Sequence, residues 1–394
     1  MGIPLVFRPR PFFEEGAPED DFDVPEDKFV NFVDRTLILY KGSKVRKFDI
    51  VFFEYRASFA SYVDSLIRFV VRKNVEELDL ELNWTEDGDS HELPRDLYSN
   101  ASLTKLRLGY CHFRPSGSFA RHLDLNACSE FMHLKITSPS LKTLTVHYED
   151  YDCTVLDSML EISAPNLQSL AILGLWYRKC RLMNLPCLVH ATLAIQIVSS
   201  DEDRDNGYEW RNTFLRELLE SLHHVQDFTI DTWCLQILST WELKILPSPS
   251  SKRKCLILDT CLDKLDLPSV ASLLKSSPDL ETLVVNKTIL PCYSPDLYGF
   301  DGQNYWKSSK PLSQCLLHNL KTVKMFDFVD GHHEMDLVQF LLKHAMVLEK
   351  MVIYSKRLTH LNWRKLFMPE ELLQFTQKIL SFPRASPHAV ILFT

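Results

Sequence analysis

A helix-then-strand phrase recurs along the chain, and its apolar positions keep a fixed spacing. Four copies lie at 65–82, 215–231, 270–286 and 337–354. In each copy an apolar helix residue lies six positions before the first apolar strand residue, as with Leu274 and Leu280. The strand then follows h-x-x-h-x-h, where h is apolar, as in Leu280, Leu283 and Val285. The change from helical to strand periodicity predicts alternating helices and strands.

Repetition at this length predicts a solenoid, and the strand pattern is typical of leucine-rich repeats. Ten strands are predicted to begin at Val75, Leu103, Leu141, Leu167, Leu188, Val225, Arg253, Leu280, Leu320 and Leu348. Leu188 and Arg253 fit the pattern least well. The fragments Leu123–Leu125 and Leu134–Ile136 are further candidates. We therefore expect an α/β leucine-rich-repeat solenoid of nine to eleven strands. It would carry a curved parallel β-sheet on its concave face, with helices and irregular segments on its convex face.

Side chains between the apolar strand positions point to the concave face of such a solenoid. The sequence places acidic residues on one rung (Glu77, Asp79, Glu81) and basic residues on the next (Lys105, Arg107). The last two rungs combine cations with aromatic rings, a composition favoured at binding hot spots. This predicts partner contacts at Lys324, Phe326, Lys350 and Tyr354. An alternative left open is a solvated concave face, with binding through the long loops or the C-terminal region.

Composition narrows the function classes. The 394 residues carry a net charge of −8 and a pI of about 6.0, which does not favour nucleic-acid or membrane-surface binding. No apolar run approaches the ~20 residues of a membrane helix. The N-terminus does not resemble a secretory signal. Ten cysteines without a C-x-x-C pair indicate reduced thiols rather than a zinc site. We expect an intracellular protein, cytoplasmic and/or nuclear.

Motifs for catalysis are absent from the sequence. Only 11 glycines occur, and no phosphate-binding glycine loop or G-x-S-x-G elbow is present. His333-Glu334 begins like a zinc motif, but position 337 is Leu rather than the required second histidine. Lys252-Arg253-Lys254 is interpreted as part of a solvated surface loop, 247–254. We predict no enzymatic activity, no metal and no cofactor.

Residues 315–353 resemble the FBD region of plant F-box/LRR-repeat proteins. The resemblance rests on Leu320-Lys321-Thr322-Val323, Phe328, Gly331, Glu334, Leu337, Phe340-Leu341-Leu342, Ala345 and Leu348-Glu349-Lys350-Met351-Val352-Ile353. Residues 380–387 are similar to the end of that region. Further similarity to the family covers 29–52, 102–113 and 136–148.

The resemblance implies four segments. Residues 1–27 would be disordered or irregular, and 28–74 would form an N-terminal cap that follows an F-box in this family. Degenerate leucine-rich repeats would occupy 75–314. An FBD-like region, 315–394, would continue and cap the solenoid.

An F-box opens with an L-P-x-E-[IL]-L-like helix, and residues 1–27 contain none. Two similar stretches, at 93–97 and 368–373, are interpreted as repeat and FBD structure. The family implies a non-catalytic, substrate-recognising adaptor of a Skp1–cullin–F-box (SCF) ubiquitin ligase, binding a protein on the repeat surface. Skp1 would bind only with an F-box restored. The alternative is a stand-alone leucine-rich-repeat interaction or scaffold protein, not coupled to ubiquitination.

Overall fold

The computed structural model of the chain describes residues 2–8, 26–84, 91–113, 120–128, 133–148, 159–176, 179–197, 207–242, 251–288, 317–328, 332–354 and 369–394. The chain divides into two compact units, residues 1–187 and 188–394. Both units are α/β, and their described strand pairs are parallel. The predicted class, α/β with a large parallel sheet of many strands, is confirmed. The four-segment division inferred from the sequence stays a prediction.

The N-terminal unit carries a sheet of seven strands that follow one another in chain order, β1-β2-β3-β5-β7-β9-β11. Its elements are β1 (Ile3–Phe7), α1 (Glu26–Leu39), β2 (Val45–Tyr55), α2 (Ala60–Arg72), β3 (Glu77–Trp84), β4 (His91–Glu92), α3 (Arg95–Tyr98), β5 (Lys105–Gly109), β6 (Cys111–His112), β7 (His122–Asn126), β8 (His133–Thr137), β9 (Thr143–Tyr148), β10 (Met159–Ser163), β11 (Ser169–Trp176) and β12 (Lys179–Met183). A short 3₁₀ turn, Ala57–Phe59, precedes α2.

The connections after β7, β9 and β11 hold short strands. β8 includes the candidate fragment Leu134–Ile136, whereas the sequence predicts no strand at β10 or β12. β8, β10 and β12 form a second parallel sheet, in which Leu134, Leu160 and Cys180 are paired residues. These segments alternate apolar and polar residues, and Leu134, Ile136, Leu160 and Ile162 are buried. A period of two buries one face of a strand, whereas a helix on these residues would scatter the apolar side chains.

The C-terminal unit alternates strands with helices, and its seven strands pair in chain order from β13 to β19. Its elements are β13 (His190–Ile197), α4 (Gly207–Ser221), β14 (Asp227–Asp231), α5 (Thr232–Glu242), β15 (Cys255–Thr260), α6 (Leu267–Lys275), β16 (Thr282–Lys287), β17 (Thr322–Phe326), α7 (His332–His344), β18 (Lys350–Tyr354), α8 (Pro369–Leu380) and β19 (Val390–Phe393).

The repeated h-x-x-h-x-h positions form the core. Leu283, Val285, Met351 and Ile353 are all inaccessible to solvent, and the helix residue Leu274 is buried as well. Full burial of one such aliphatic side chain stabilises the fold by about 1.5–3 kcal/mol. The predicted inward positions of the strands are therefore confirmed.

The expected number of strands, nine to eleven, is too low. All ten predicted starts lead into strands, and β1, β2, β7 and β19 bring the main-sheet strands to fourteen, seven in each unit. β1 lies within residues 1–27, which the sequence predicts to be disordered or irregular. It contains Pro4 and no alternation, and parallel pairing with β2 fixes it in place. Proline is tolerated there because β1 is an edge strand with an irregularity beside Pro4.

Candidate protein-binding site

Alternate side chains of β16 to β19 share the sheet face opposite the buried core positions, and we call this the outward face of the C-terminal unit. Strand register places Lys324 beside Val352, and Phe326 beside Tyr354. Lys350 lies between Thr322 and Val390. The structure therefore brings the four sequence-predicted contact residues together on two neighbouring strands. Their role in binding stays a prediction.

The rings of Phe326 and Tyr354 stack on each other. Their centroids are 4.3 Å apart and their planes differ by 4°. Neighbouring strands lie about 4.7–4.9 Å apart, so paired aromatic residues on one face meet ring to ring. Both side chains are partly exposed. Because stacking fixes the ring orientations before a partner arrives, binding costs little side-chain entropy.

Two lysines share the outward face with the stacked rings and have no carboxylate partner among the described residues. Lys324 and Lys350 are both exposed, whereas nearby Lys321 lies 3.5 Å from Glu281. The charge of Lys324 also acts on Cys255, two strands away. Burial raises the pKa of the Cys255 thiol, and Lys324 partly offsets that rise. The outward face therefore presents positive charge that no described acid neutralises.

Strand β19 extends this face with apolar side chains that the sequence reasoning missed. Val390 is 53% exposed and Leu392 is 38% exposed. Leu392 lies beside Val352, which is buried although it belongs to the outward face. The run Ala389–Phe393 is rich in residues that favour strands, and this signal could have found β19. Its closeness to Lys350 and Tyr354 follows only from the fold.

The corresponding face of the N-terminal unit carries charges that are already paired. Arg8 donates two hydrogen bonds of 2.9 Å to Asp49, which also lies 2.8 Å from Lys47. Asp79 lies between Arg8, at 3.6 Å, and Arg107, at 3.5 Å. The predicted acidic and basic rungs are thus linked by the ion pair of Asp79 with Arg107. We call Arg8, Lys47, Asp49, Asp79, Arg107 and Asp124 the charged ladder.

The carboxylates of the charged ladder differ in their environment. Burial acts to raise the pKa of Asp49, but hydrogen bonds from Arg8 and Lys47 outweigh it and lower the pKa. Burial raises the pKa of Asp79, and Arg107 only partly opposes the rise. Asp49 is therefore the firmly ionised anchor of the ladder. Sequence reasoning missed Asp49 and Arg8 because only the pairing of β1 with β2 brings them together.

Comparison with known proteins places the candidate site within a family-specific segment. Residues 309–353 match the family model named FBD. An F-box/FBD/LRR-repeat protein of Arabidopsis thaliana is 25% identical, with 96% of this chain and 86% of the relative aligned. An F-box protein of the same plant is 25% identical over 84% of this chain and 81% of its own length. An F-box/LRR-repeat protein is 25% identical over 82% and 76%.

The chain is similar to plant F-box/LRR-repeat proteins over most of its length, and its FBD match covers residues 309–353. The resemblance inferred from the sequence is thereby confirmed. The described part of the FBD match contains β17, α7 and most of β18. Lys324, Phe326 and Lys350 lie inside the match, and Tyr354 directly follows it. The candidate site is therefore built almost wholly from the FBD region.

The two stretches that resemble the start of an F-box belong to the solenoid. In the stretch at 93–97, Leu93 and Leu97 are buried, and α3 is only four residues long. The stretch at 368–373 lies at the start of α8, where Pro369 is the first residue of the helix. A proline in the first turn suits a helix start. The interpretation of both stretches as repeat or FBD structure agrees with these positions.

The residues considered for metal or catalytic chemistry have other contacts. No group of three or more His, Cys, Asp or Glu suited to a metal occurs in the part of the chain that the structure describes. Glu334 is buried and forms an ion pair with Lys287, so it does not extend a zinc motif with His333.

Within the described ranges, no helix is long and apolar enough to cross a membrane. Six described cysteines are free thiols, but Cys261 is disulfide-bonded, so the expectation of reduced thiols is wrong there.

The basic run Lys252-Arg253-Lys254 is not a solvated loop at its centre. Arg253 is 1% exposed and lies with its guanidinium carbon 4.6 Å from the Phe228 ring centroid. Its nearest hydrogen-bond partner is the Ser277 hydroxyl, at 3.5 Å. Burial lowers the pKa of Arg253 to about 10, so it stays charged at neutral pH. Arg253 occupies the first apolar slot of its repeat, and the repeat spacing forces it inward.

Proposed function

We propose that this chain is a non-catalytic protein-interaction module that acts as the substrate-recognition part of an SCF ubiquitin ligase adaptor. The observation that carries the proposal is the arrangement of the FBD region. It presents stacked aromatic rings on the same face as two lysines that lack acidic partners among the described residues. Relatives named F-box/FBD/LRR-repeat and F-box/LRR-repeat proteins support the coupling to an F-box.

The chemistry of the outward face favours binding over catalysis. Aromatic residues and fixed cations supply contact area and orientation at interfaces. A reaction would need a nucleophile, an acid–base pair or a metal in reach of a substrate. Among the described residues, no base is hydrogen-bonded to Lys324, Lys350 or Tyr354, so nothing there would activate an ammonium or phenol group as a nucleophile. The partner is a protein, in the cytoplasm and/or nucleus, rather than a nucleic acid or a membrane.

A site-specific cross-linking experiment tests the proposed contact face. A photo-reactive phenylalanine analogue is placed at position 326 or 354 and the protein is irradiated in plant cells. The matched control carries the analogue at Phe32, which is 61% exposed in the N-terminal unit. We expect the same protein to be cross-linked from 326 and 354 and not from 32. The same cross-linking pattern from all three positions would show that the binding site lies elsewhere.

The affinity of the captured partner then provides the quantitative test. Replacing Phe326 and Tyr354 together with alanine should weaken binding about tenfold or more, as loss of a hot spot does. The matched control is the double variant Phe32→Ala and Leu39→Ala, which removes exposed apolar groups from α1. The control should bind as the wild type does. Equal affinity of both double variants would contradict the proposed site.

Coupling to ubiquitination is tested separately with Skp1. Residues 1–394 alone should form no stoichiometric complex with Skp1, whereas a version carrying an N-terminal F-box should do so and should promote ubiquitination of the captured partner. Capture without ubiquitination in the F-box-bearing version would support the alternative, a stand-alone interaction or scaffold protein.

A further inference from the structure

The open edge of β19 is the least complete part of the C-terminal sheet. Val390 N–H donates to Glu349 O, and Thr394 N–H donates to Ile353 O. In a parallel pair, the residues between such donors direct their own backbone groups away from the neighbour. The N–H and C=O groups of Ile391 and Phe393 therefore face the open edge. Among the described residues, no strand pairs there.

Side chains on both faces of β19 are also left partly uncovered. Met351 and Ile353 on β18 are inaccessible to solvent, whereas their partners Ile391 and Phe393 on β19 are partly exposed. Phe393 has one ring contact with Phe375 of α8, at 6.5 Å between centroids. An apolar edge strand of this kind is a template for pairing with another chain. One further strand would complete both the backbone ladder and the core.

Charges around this edge indicate what kind of strand fits. Lys350 lies on the strand next to β19, and Lys324 lies one strand further. Arg384 also lies beside the start of β19, because its guanidinium donates to the Ala389 carbonyl. Glu349 is the exposed acid nearest to these cations in sequence. Lys324, Lys350 and Arg384 have no ion-pair partner among the described residues, and unpaired cations favour an acidic partner.

We infer that β19 accepts an extended segment of a partner protein by strand addition. The apolar residues of the segment cover Ile391 and Phe393, and the Asp or Glu residues that alternate with them lie on the outward face with Lys350. Four backbone groups of Ile391 and Phe393 supply hydrogen bonds, and the side chains of the outward face supply specificity. The inference rests on the proposed function, since it names the kind of partner for the same face.

A matched pair of substitutions at one position separates backbone pairing from side-chain contact. Ile391→Pro removes the N–H that faces the open edge and leaves the amides that bond to β18 in place. Ile391→Ala loses a similar amount of side chain but keeps that N–H. Proline is tolerated in edge strands when its missing N–H would face solvent. The two variants should therefore melt at similar temperatures.

The probe is a displayed library of short random peptides selected on the wild-type chain, followed by a synthetic fluorescent copy of the most enriched peptide. We expect enriched sequences to alternate apolar with acidic residues. Ile391→Pro should weaken binding of the synthetic peptide about tenfold or more, and Ile391→Ala by about threefold at most. A scrambled peptide of the same composition should not bind.

Each other outcome is informative. Equal binding to Ile391→Pro and Ile391→Ala, with loss in Phe326→Ala/Tyr354→Ala, overturns strand addition but keeps the proposed function. Binding that survives all of these variants overturns both. Failure to enrich any acidic, alternating peptide overturns the inference alone, since the cross-linking test above does not depend on it.

If Ile391→Pro unfolds, amide exchange of β18 reveals it, and a comparison of Phe393→Pro with Phe393→Ala repeats the test. Self-association that Ile391→Pro abolishes would make the occupant a second copy and overturn the peptide partner.

Discussion

The two units treat charge in opposite ways. In the N-terminal unit, Arg8, Lys47 and Arg107 form ion pairs with three aspartates, so the charges of the ladder are paired within the fold. In the C-terminal unit, Lys324 and Lys350 stand without acidic partners among the described residues, beside stacked rings. Charges that are paired within a fold mostly hold strands together, whereas unpaired surface charges are free to steer a partner. Similar strand patterns thus produce one structural face and one candidate binding face.

The largest expected effect concerns the buried cation of the C-terminal unit. Arg253→Ala should lower the free energy of unfolding by about 3 kcal/mol, because it leaves a cavity beside Phe228. The free energy of unfolding of Arg253→Leu should equal that of the wild type or be up to about 1 kcal/mol higher, because an apolar residue often replaces a buried charge without loss of stability. Urea unfolding measures both. A Leu variant as unstable as the Ala variant would mean that the guanidinium itself is required.

A smaller loss is expected from the charged ladder. Asp49→Ala should lower the free energy of unfolding by about 2 kcal/mol, because Asp49 is buried and accepts hydrogen bonds from two cations. The matched control, Lys350→Ala, removes a charge from the outward face and should change stability by less than about 0.5 kcal/mol. Thermal melting measures both variants. An equal loss of stability in Asp49→Ala and Lys350→Ala would contradict the proposed difference between the two faces.

Acidification should have opposite effects on two buried sites, one in each unit. Burial raises the pKa values of Asp231 and Asp266 to about 6, so their stabilisation is fully present below their unfolded pKa values and is lost as pH rises through about 6. Burial lowers the pKa of His91, although Asp64 opposes this, so that site loses stability as pH falls below 6.5. From about pH 7 to 5, β14 should gain about 1 kcal/mol of protection, whereas β4, which holds His91, should gain none.

Amide hydrogen exchange, corrected for the intrinsic rate at each pH, measures this difference. In Asp266→Asn the gain at β14 should be roughly halved, because one of the two titrating carboxyls is gone. A wild-type β14 that loses protection on acidification would show that Asp231 and Asp266 are not the controlling groups.

The smallest effect on stability is expected at the candidate site itself. Replacing Phe326 and Tyr354 with alanine should cost about 1 kcal/mol or less, since a cross-strand aromatic pair contributes about 0.2–1 kcal/mol. Differential scanning calorimetry measures it. A collapse of the melt would mean that the rings belong to the core, and any loss of partner binding would then be indirect.

The repeat pattern was sufficient to predict the parallel strands and their buried positions, because a period-two alternation leaves one way to bury Leu283 and Val285. It was insufficient at both edges, where β1 and β19 follow no repeat and depend on pairing with β2 and β18. It was also insufficient at turns. Tyr110 and Asp327 adopt positive φ of 55° and 54° directly after β5 and β17, without the glycine that marks such a turn.

For the candidate site too, the sequence predicts some features and leaves others to the structure. Spacing alone placed Lys324, Phe326, Lys350 and Tyr354 on one face, since each lies at an x position of its strand. Ring stacking could not be predicted, because it requires the register that pairs Phe326 with Tyr354. The burial of Arg253 contradicts its usual chemistry. Arginine normally stays exposed to solvent, but the repeat places Arg253 at an inward-facing position, where it is buried.

Within each unit, every strand of the main sheet pairs with the next strand of that sheet along the chain. Each new strand therefore needs only the one synthesised just before it, and no strand must wait for a distant segment. Repeat architectures with nearest-neighbour contacts can grow from a nucleus in this way. During translation, each unit can assemble in the order in which its residues leave the ribosome.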